Sequence, residues 1–179
     1  MKLGGSRTEA NLRKAFAMES MARNKYTYYS SKARNEGYIQ IANIFEETAN
    51  NEKEHAKLWF KLIHDGNVPD TAANLTEAAN GEHSEWSGMY ARMARDARKD
   101  GFNEIAVLFE NVAEIEKRHE ERYLSLLKNL ESSSVFSRPD EAFWICLNCG
   151  HIHEDKGAPD TCPTCNHPKA YFQLLVKDY

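Results

Sequence analysis

The sequence predicts an all-α four-helix bundle over residues 1–138, followed by a small β/loop module over 139–179 that gathers all the cysteines. Three observations predict it. First, a nineteen-residue stretch occurs twice, as GYIQIANIFEETANNEKEH at 37–55 and GFNEIAVLFENVAEIEKRH at 101–119. Nine of those nineteen positions are identical at a constant offset of 64, among them Gly37/Gly101, Phe45/Phe109, Glu52/Glu116 and His55/His119. Second, apolar residues recur at helical spacing through most of the first 130 residues. Third, the four cysteines form two Cys-x-x-Cys pairs between 146 and 165.

Residues 7–35 read as the first helix, with Leu12, Ala15, Phe16, Ala22, Tyr26 and Tyr29 on one stripe. Glu19 falls on that stripe, seven residues from both Leu12 and Tyr26. Gly37 ends the helix as a C′ residue that permits a tight turn. The second helix, about 38–64, aligns Ile41, Phe45, Thr48, Glu52, His55, Trp59 and Leu62, and stops in the turn-rich HDGNVPD segment. A third, about 75–98, places Glu82, Glu85 and Met89 together, and Gly101 closes it. The fourth, about 102–130, aligns Ile105, Phe109, Val112, Glu116, His119, Tyr123 and Leu127. Two hairpins with short glycine turns follow, joined by a longer crossover connection, which is the ferritin-like arrangement. ESSSVFSRPDE then reads as a linker.

Glu-x-x-His on a helix aims both side chains at one face, because each residue turns the helix by about 100°. Two such pairs in matching repeats, plus Glu19 and the Glu82/Glu85 pair, collect five carboxylates and two imidazoles on inner faces. Carboxylates massed without counterions would have to take up protons. A pair of cations removes that cost, and oxygen-rich ligation with imidazole suits iron or manganese better than zinc. Glu46, Glu54, Glu110, Glu114 and Glu120 read as solvated or ion-paired, and His64 and His83 as surface groups.

Bulk properties narrow the setting. The 179 residues are 41% hydrophobic and 28% charged, with a net charge of −4 and no basic stripe, which disfavours nucleic acid as a partner. The N-terminal stretch has no signal-peptide core, and no run approaches a membrane span. Clustered cysteines in such a chain point to metal rather than disulfides, and to a reducing cytoplasm.

Cys146-Leu-Asn-Cys149-Gly and Cys162-Pro-Thr-Cys165-Asn form two knuckles of a four-thiolate site. The residue after each pair must tolerate positive φ, as Gly150 and Asn166 do. Residues 141–179, fewer than forty, cannot bury enough core to fold unaided, so metal supplies the missing stability. The spacing alone admits zinc or a single iron.

The chain resembles the rubrerythrin family along essentially its whole length. The resemblance is carried by GSRTEANL, AFAMESMARNKY, NEKEHAK, GEHSEWSGMY, EKRHEERY and CLNCGHIHE…GAPDTCPTCNHPKAYFQLL. It implies a ferritin-like di-iron domain fused to a rubredoxin-like iron domain, with three irons per chain. By that resemblance Glu52 and Glu116 bridge the metals, and Glu19, Glu82, Glu85 and His119 are further ligands. His55 matches a histidine that replaces the Glu85 carboxylate on reduction, and Cys146, Cys149, Cys162 and Cys165 hold the third iron. His151 and Trp86 depart from the aromatic and the tyrosine usual at their positions, and neither is a ligand.

The activity implied is reduction of hydrogen peroxide to water, an oxidative-stress defence. Electrons come from rubredoxin or an NAD(P)H-dependent reductase through the four-thiolate iron, in a homodimer. Tyr26 and Tyr90 have two readings, core packing or a hydroxyl offered to a ligand or to peroxide. Iron storage in a many-subunit cage, or a di-manganese catalase with a zinc-bound cysteine module, are the competing functions.

Overall fold

In the computed structural model, which describes residues 3–176, helix α1 spans Arg7–Asn35. The Ser6 hydroxyl accepts from Glu9 N–H at 3.1 Å and the Glu9 carboxylate reaches back to Gly5 N–H at 2.7 Å. This reciprocal cap satisfies donors that a helix start leaves open. Gly37 turns the chain at φ 87°, and α2 runs over Ile39–Ile63. The turn after the third rod repeats the same device. Gly101 has φ 87°, and the bond from Tyr38 N–H to Ala33 O (2.9 Å) recurs from Phe102 N–H to Ala97 O (2.8 Å).

The third rod is interrupted. It consists of α3 (Thr71–Ser84), a π-helical segment Glu85–Met89, and α4 (Tyr90–Lys99). Helix α5 follows over Asn103–Glu131. Periodicity placed the start of the third helix near residue 75; the structure begins it at Thr71, where the Asp70 carboxylate accepts from Ala73 N–H at 2.9 Å. The expected long crossover between hairpins is therefore a connection of only seven residues, His64 to Asp70. Its first part curls rather than extends: Asp65 and Gly66 have φ of 52° and 91°, and Gly66 N–H donates to Lys61 O at 2.7 Å.

The chain divides into two compact units at Pro69/Asp70. In the first, α1 packs on α2 through small residues: Ala33, Ala42, Ala49 and Ala56 are buried, and the buried Ser30 hydroxyl donates to Ala42 O at 2.9 Å. Alanines at the seam let two helices approach closely. In the second unit α3 and α4 pack on α5, with Ala94, Ala97, Ala106 and Phe109 clustered at the turn.

The rest of the second unit is a three-stranded antiparallel sheet. Strands β1 (Ser137–Cys146), β2 (Ile152–Gly157) and β3 (Phe172–Leu174) lie in the order β2-β1-β3. Strand β1 begins inside the serine-rich segment that reads as a linker. The core here is Trp144, Cys146, Ala158, Cys162 and Phe172, and the Trp144 indole N–H donates to Asp155 O at 3.0 Å. Such a core is small, as expected for a module that relies on metal.

Candidate metal centres

Six of the seven acidic and imidazole groups singled out from the sequence fall into two triplets, one in each unit. The first combines Glu19 of α1 with Glu52 and His55 of α2, one donor atom of each lying within 4.8 Å of the others. His55 Nδ1 is 2.8 Å from Glu52 Oε2, one helical turn earlier. The second combines Glu82 of α3 with Glu116 and His119 of α5, again within 4.8 Å. His119 Nδ1 is 2.7 Å from Glu116 Oε2 and 3.8 Å from Glu82 Oε1.

The second triplet is short of positive charge. Burial raises the Glu82 carboxyl above its ordinary range, and the negative charge of Glu116 and a hydrogen bond shared with it push the same way. His119 opposes the shift and does not cancel it. A carboxylate pair in this state is stabilised by a cation, and its oxygen and nitrogen donors suit iron. Glu85 joins neither triplet, although its charge adds to the shift at Glu82. It opens the π segment, one turn beyond Glu82.

The π segment explains a mismatch between the repeats. After it the offset is 64, pairing Tyr26 with Tyr90 and Phe45 with Phe109, each tyrosine ring 6.1 Å from its phenylalanine. Before it the carboxylates Glu19 and Glu82 are 63 apart. One extra residue has been absorbed between them, as a π turn can do within a continuous helix. Tyr26 also contacts Tyr29, so both candidate tyrosines have aromatic packing partners. Burial raises the Tyr90 hydroxyl pKa, and the charges of Glu85, Glu116 and Glu82 add to the shift.

Sequence reasoning missed one cluster. Glu120, one residue past His119, accepts from the Trp86 indole N–H and lies 3.0 Å from His83 Nδ1. Glu120 reads from sequence as solvated or ion-paired, but nothing in the helix pattern names partners on another helix. The available signal was the unusual Trp86 directly after Glu85. His64, read as a surface group, stacks 4.4 Å from the Phe60 ring.

The four cysteine sulfurs also lie within 4.8 Å of one another. Cys146 and Cys165 are 3.8 Å apart, and Cys149 and Cys162 3.6 Å. A tetrahedron with metal–sulfur bonds of about 2.3 Å has edges of about 3.8 Å, whereas a disulfide needs about 2.05 Å. The two loops are copies of each other: Gly150 N–H donates to Cys146 O at 2.8 Å and Asn166 N–H to Cys162 O at 2.9 Å. Gly150 and Asn166 have φ of 77° and 58°, as their loop positions demand. The His167 backbone N–H, more than any other group, lowers the Cys165 thiol to about 6. Cys149 goes the other way: against the pull of the His151 N–H, hydrogen bonding to its neighbouring thiols and burial push it up to about 12. Together the two triplets and the four thiols provide donors for three iron ions per chain.

Residues 10–127 match the family model described as Rubrerythrin, and residues 144–173 the one described as Rubrerythrin, rubredoxin-like domain. The chain is 46% identical to Rubrerythrin-1 of Clostridium acetobutylicum, over 99% of this chain and 98% of that protein. It is also 46% identical to the Rubrerythrin of Nitratidesulfovibrio vulgaris, over 97% and 96% of the two chains. A solved structure of nigerythrin in a mixed-valence state is 33% identical, covering 97% of this chain and 89% of that one, with a TM-score of 0.36.

Proposed function

Because the chain belongs to the rubrerythrin family, we propose that it reduces hydrogen peroxide to water in oxidative-stress defence. The overall step consumes one peroxide, two protons and two electrons and releases two waters. An iron pair held by the acidic triplets would supply the redox chemistry, two electrons per peroxide. In this reading Glu19, Glu52, Glu82, Glu85, Glu116 and His119 would hold the pair, with His55 as a further ligand.

The chain's own residues set what protons do there. Tyr90 keeps its hydroxyl proton at any ordinary pH, since burial and three neighbouring carboxylates raise its pKa. It can therefore offer a hydrogen bond without becoming an anion. Tyr26, its counterpart in the first repeat, is given the same role. The carboxylates whose charges act on Tyr90 keep protons within reach of the bond being cleaved.

Cys146, Cys149, Cys162 and Cys165 would hold the third iron, which would supply one-electron chemistry with rubredoxin or an NAD(P)H-linked reductase as the donor. We divide the chain at 138/139 between the two roles, and take the assembly to be a homodimer in the cytoplasm. Among the described residues no helix is long and apolar enough to cross a membrane. The reading rests above all on one observation: acidic triplets and a four-thiol cluster occur in a single chain.

The test is metal content and the optical spectrum of anaerobically purified protein, reduced with dithionite and then given peroxide. About three irons per chain, with a four-thiolate band that bleaches on reduction and returns with peroxide, is the expected result. A colourless cysteine module holding zinc would remove the internal donor and defeat this reading.

A further inference from the structure

The length of the connection between α2 and α3 constrains how the bundle can close. A ferritin-like bundle joins its two hairpins by one long crossover that runs back along the bundle. Helix α2 has 25 residues, so that return covers about 37 Å. The connection has seven residues, His64 to Asp70, and fully extended it would reach at most roughly 29 Å. It is not fully extended, because Asp65 and Gly66 adopt positive φ and Gly66 bonds back to Lys61 O. From Gly66 onward it reaches roughly 18 Å. That is about half of the return along α2.

Each hairpin nevertheless carries half of a centre and needs cover. Ile41 and Leu62 share the stripe of Glu52 and His55 and are 48% and 49% exposed. Ile105 shares the stripe of Glu116 and His119 and is 45% exposed. The repeat makes the two stripes alike, so each hairpin fits the kind of surface the other presents.

We propose that the bundle closes between two copies of this chain. The α1–α2 hairpin of one copy packs on α3–α5 of the other, and the reverse, about a two-fold axis. Glu19, Glu52 and His55 of one copy thereby meet Glu82, Glu116 and His119 of its partner, giving two complete dinuclear centres per dimer. Exchange of identical elements is a low-cost route to dimers, and short hinges favour it. The proposal rests on reading the two triplets as one dinuclear centre. It does not depend on peroxide being the substrate.

Two variants with different affinity tags, Glu52→Ala and Glu116→Ala, are co-expressed, and the assembly carrying both tags is isolated. Bundle-bound metal is then counted above the one ion per cysteine module. Each variant alone should hold none. In the mixed dimer one bundle collects both defects and the other collects neither, so roughly half of the wild-type bundle metal should return. A doubly tagged assembly with no more metal than the parents would overturn the proposal, as would failure to recover any doubly tagged assembly. If either alanine variant does not fold, Glu52→Gln and Glu116→Gln keep the same logic.

Discussion

His119 faces Glu82 across the α3–α5 contact at 3.8 Å while its Nδ1 sits 2.7 Å from Glu116. One imidazole thus stands between two carboxylates that repel each other, and the repulsion falls on Glu82. That imbalance can be measured in metal-free protein.

The Glu82 carboxyl pKa is raised above 4.5, first by burial and then by Glu116. A raised carboxyl contributes stability that is full below the unfolded value and is lost as pH rises through the folded one. Metal-free Glu82→Gln should therefore melt a few degrees above wild type at pH 7. The gap should close as pH falls toward the ordinary carboxyl value. Calorimetry across that range decides, and a gap independent of pH would contradict the assignment. The same variant should lose bundle metal.

Cys146→Ser removes one of four thiolates from the module. Turnover with an electron donor should stop, while reduced protein still consumes one round of peroxide. Rapid mixing of chemically reduced variant with peroxide separates the two. Repeated turnover in the variant would exclude the proposed relay.

In reduced, metal-free protein near pH 7, Cys165 is a thiolate and Cys149 a thiol, with values of about 6 and about 12. Iodoacetamide should modify Cys165 first, although Cys149 is the more exposed of the two. Peptide mass spectrometry over a time course reads the order. Equal rates would mean that the loop geometry does not survive without metal.

Gly101 turns the chain at φ 87°, where a side chain is strained. Gly101→Ala should cost about 1–2 kcal/mol in chemical denaturation. Gly37→Ala should cost the same, since the turn is repeated there. A neutral result at either would show that the backbone can relax.

Much of the helical part was legible because duplication and periodicity agree. Gly37 and Gly101 mark both hairpin turns, and Glu52-x-x-His55 and Glu116-x-x-His119 point at matching faces. The knuckles were legible too, since Gly150 and Asn166 are residues suited to positive φ. The start of α3 was not. Thr71-Ala-Ala-Asn74 carries helix propensity without an apolar period, so only the Asp70 cap reveals it. This hid the shortness of the connection. The Glu120 cluster was hidden for another reason: its partners Trp86 and His83 come from a different element, and a one-dimensional pattern holds no distances.

The single residue absorbed at Glu85–Met89 has one more consequence. Two equal hairpins would carry interchangeable sets of groups. With the slip in place, Glu85 has Ala22 as its counterpart in the first repeat, so one repeat carries a carboxylate where the other carries a methyl group. The two halves of the duplication are therefore chemically unequal at this position.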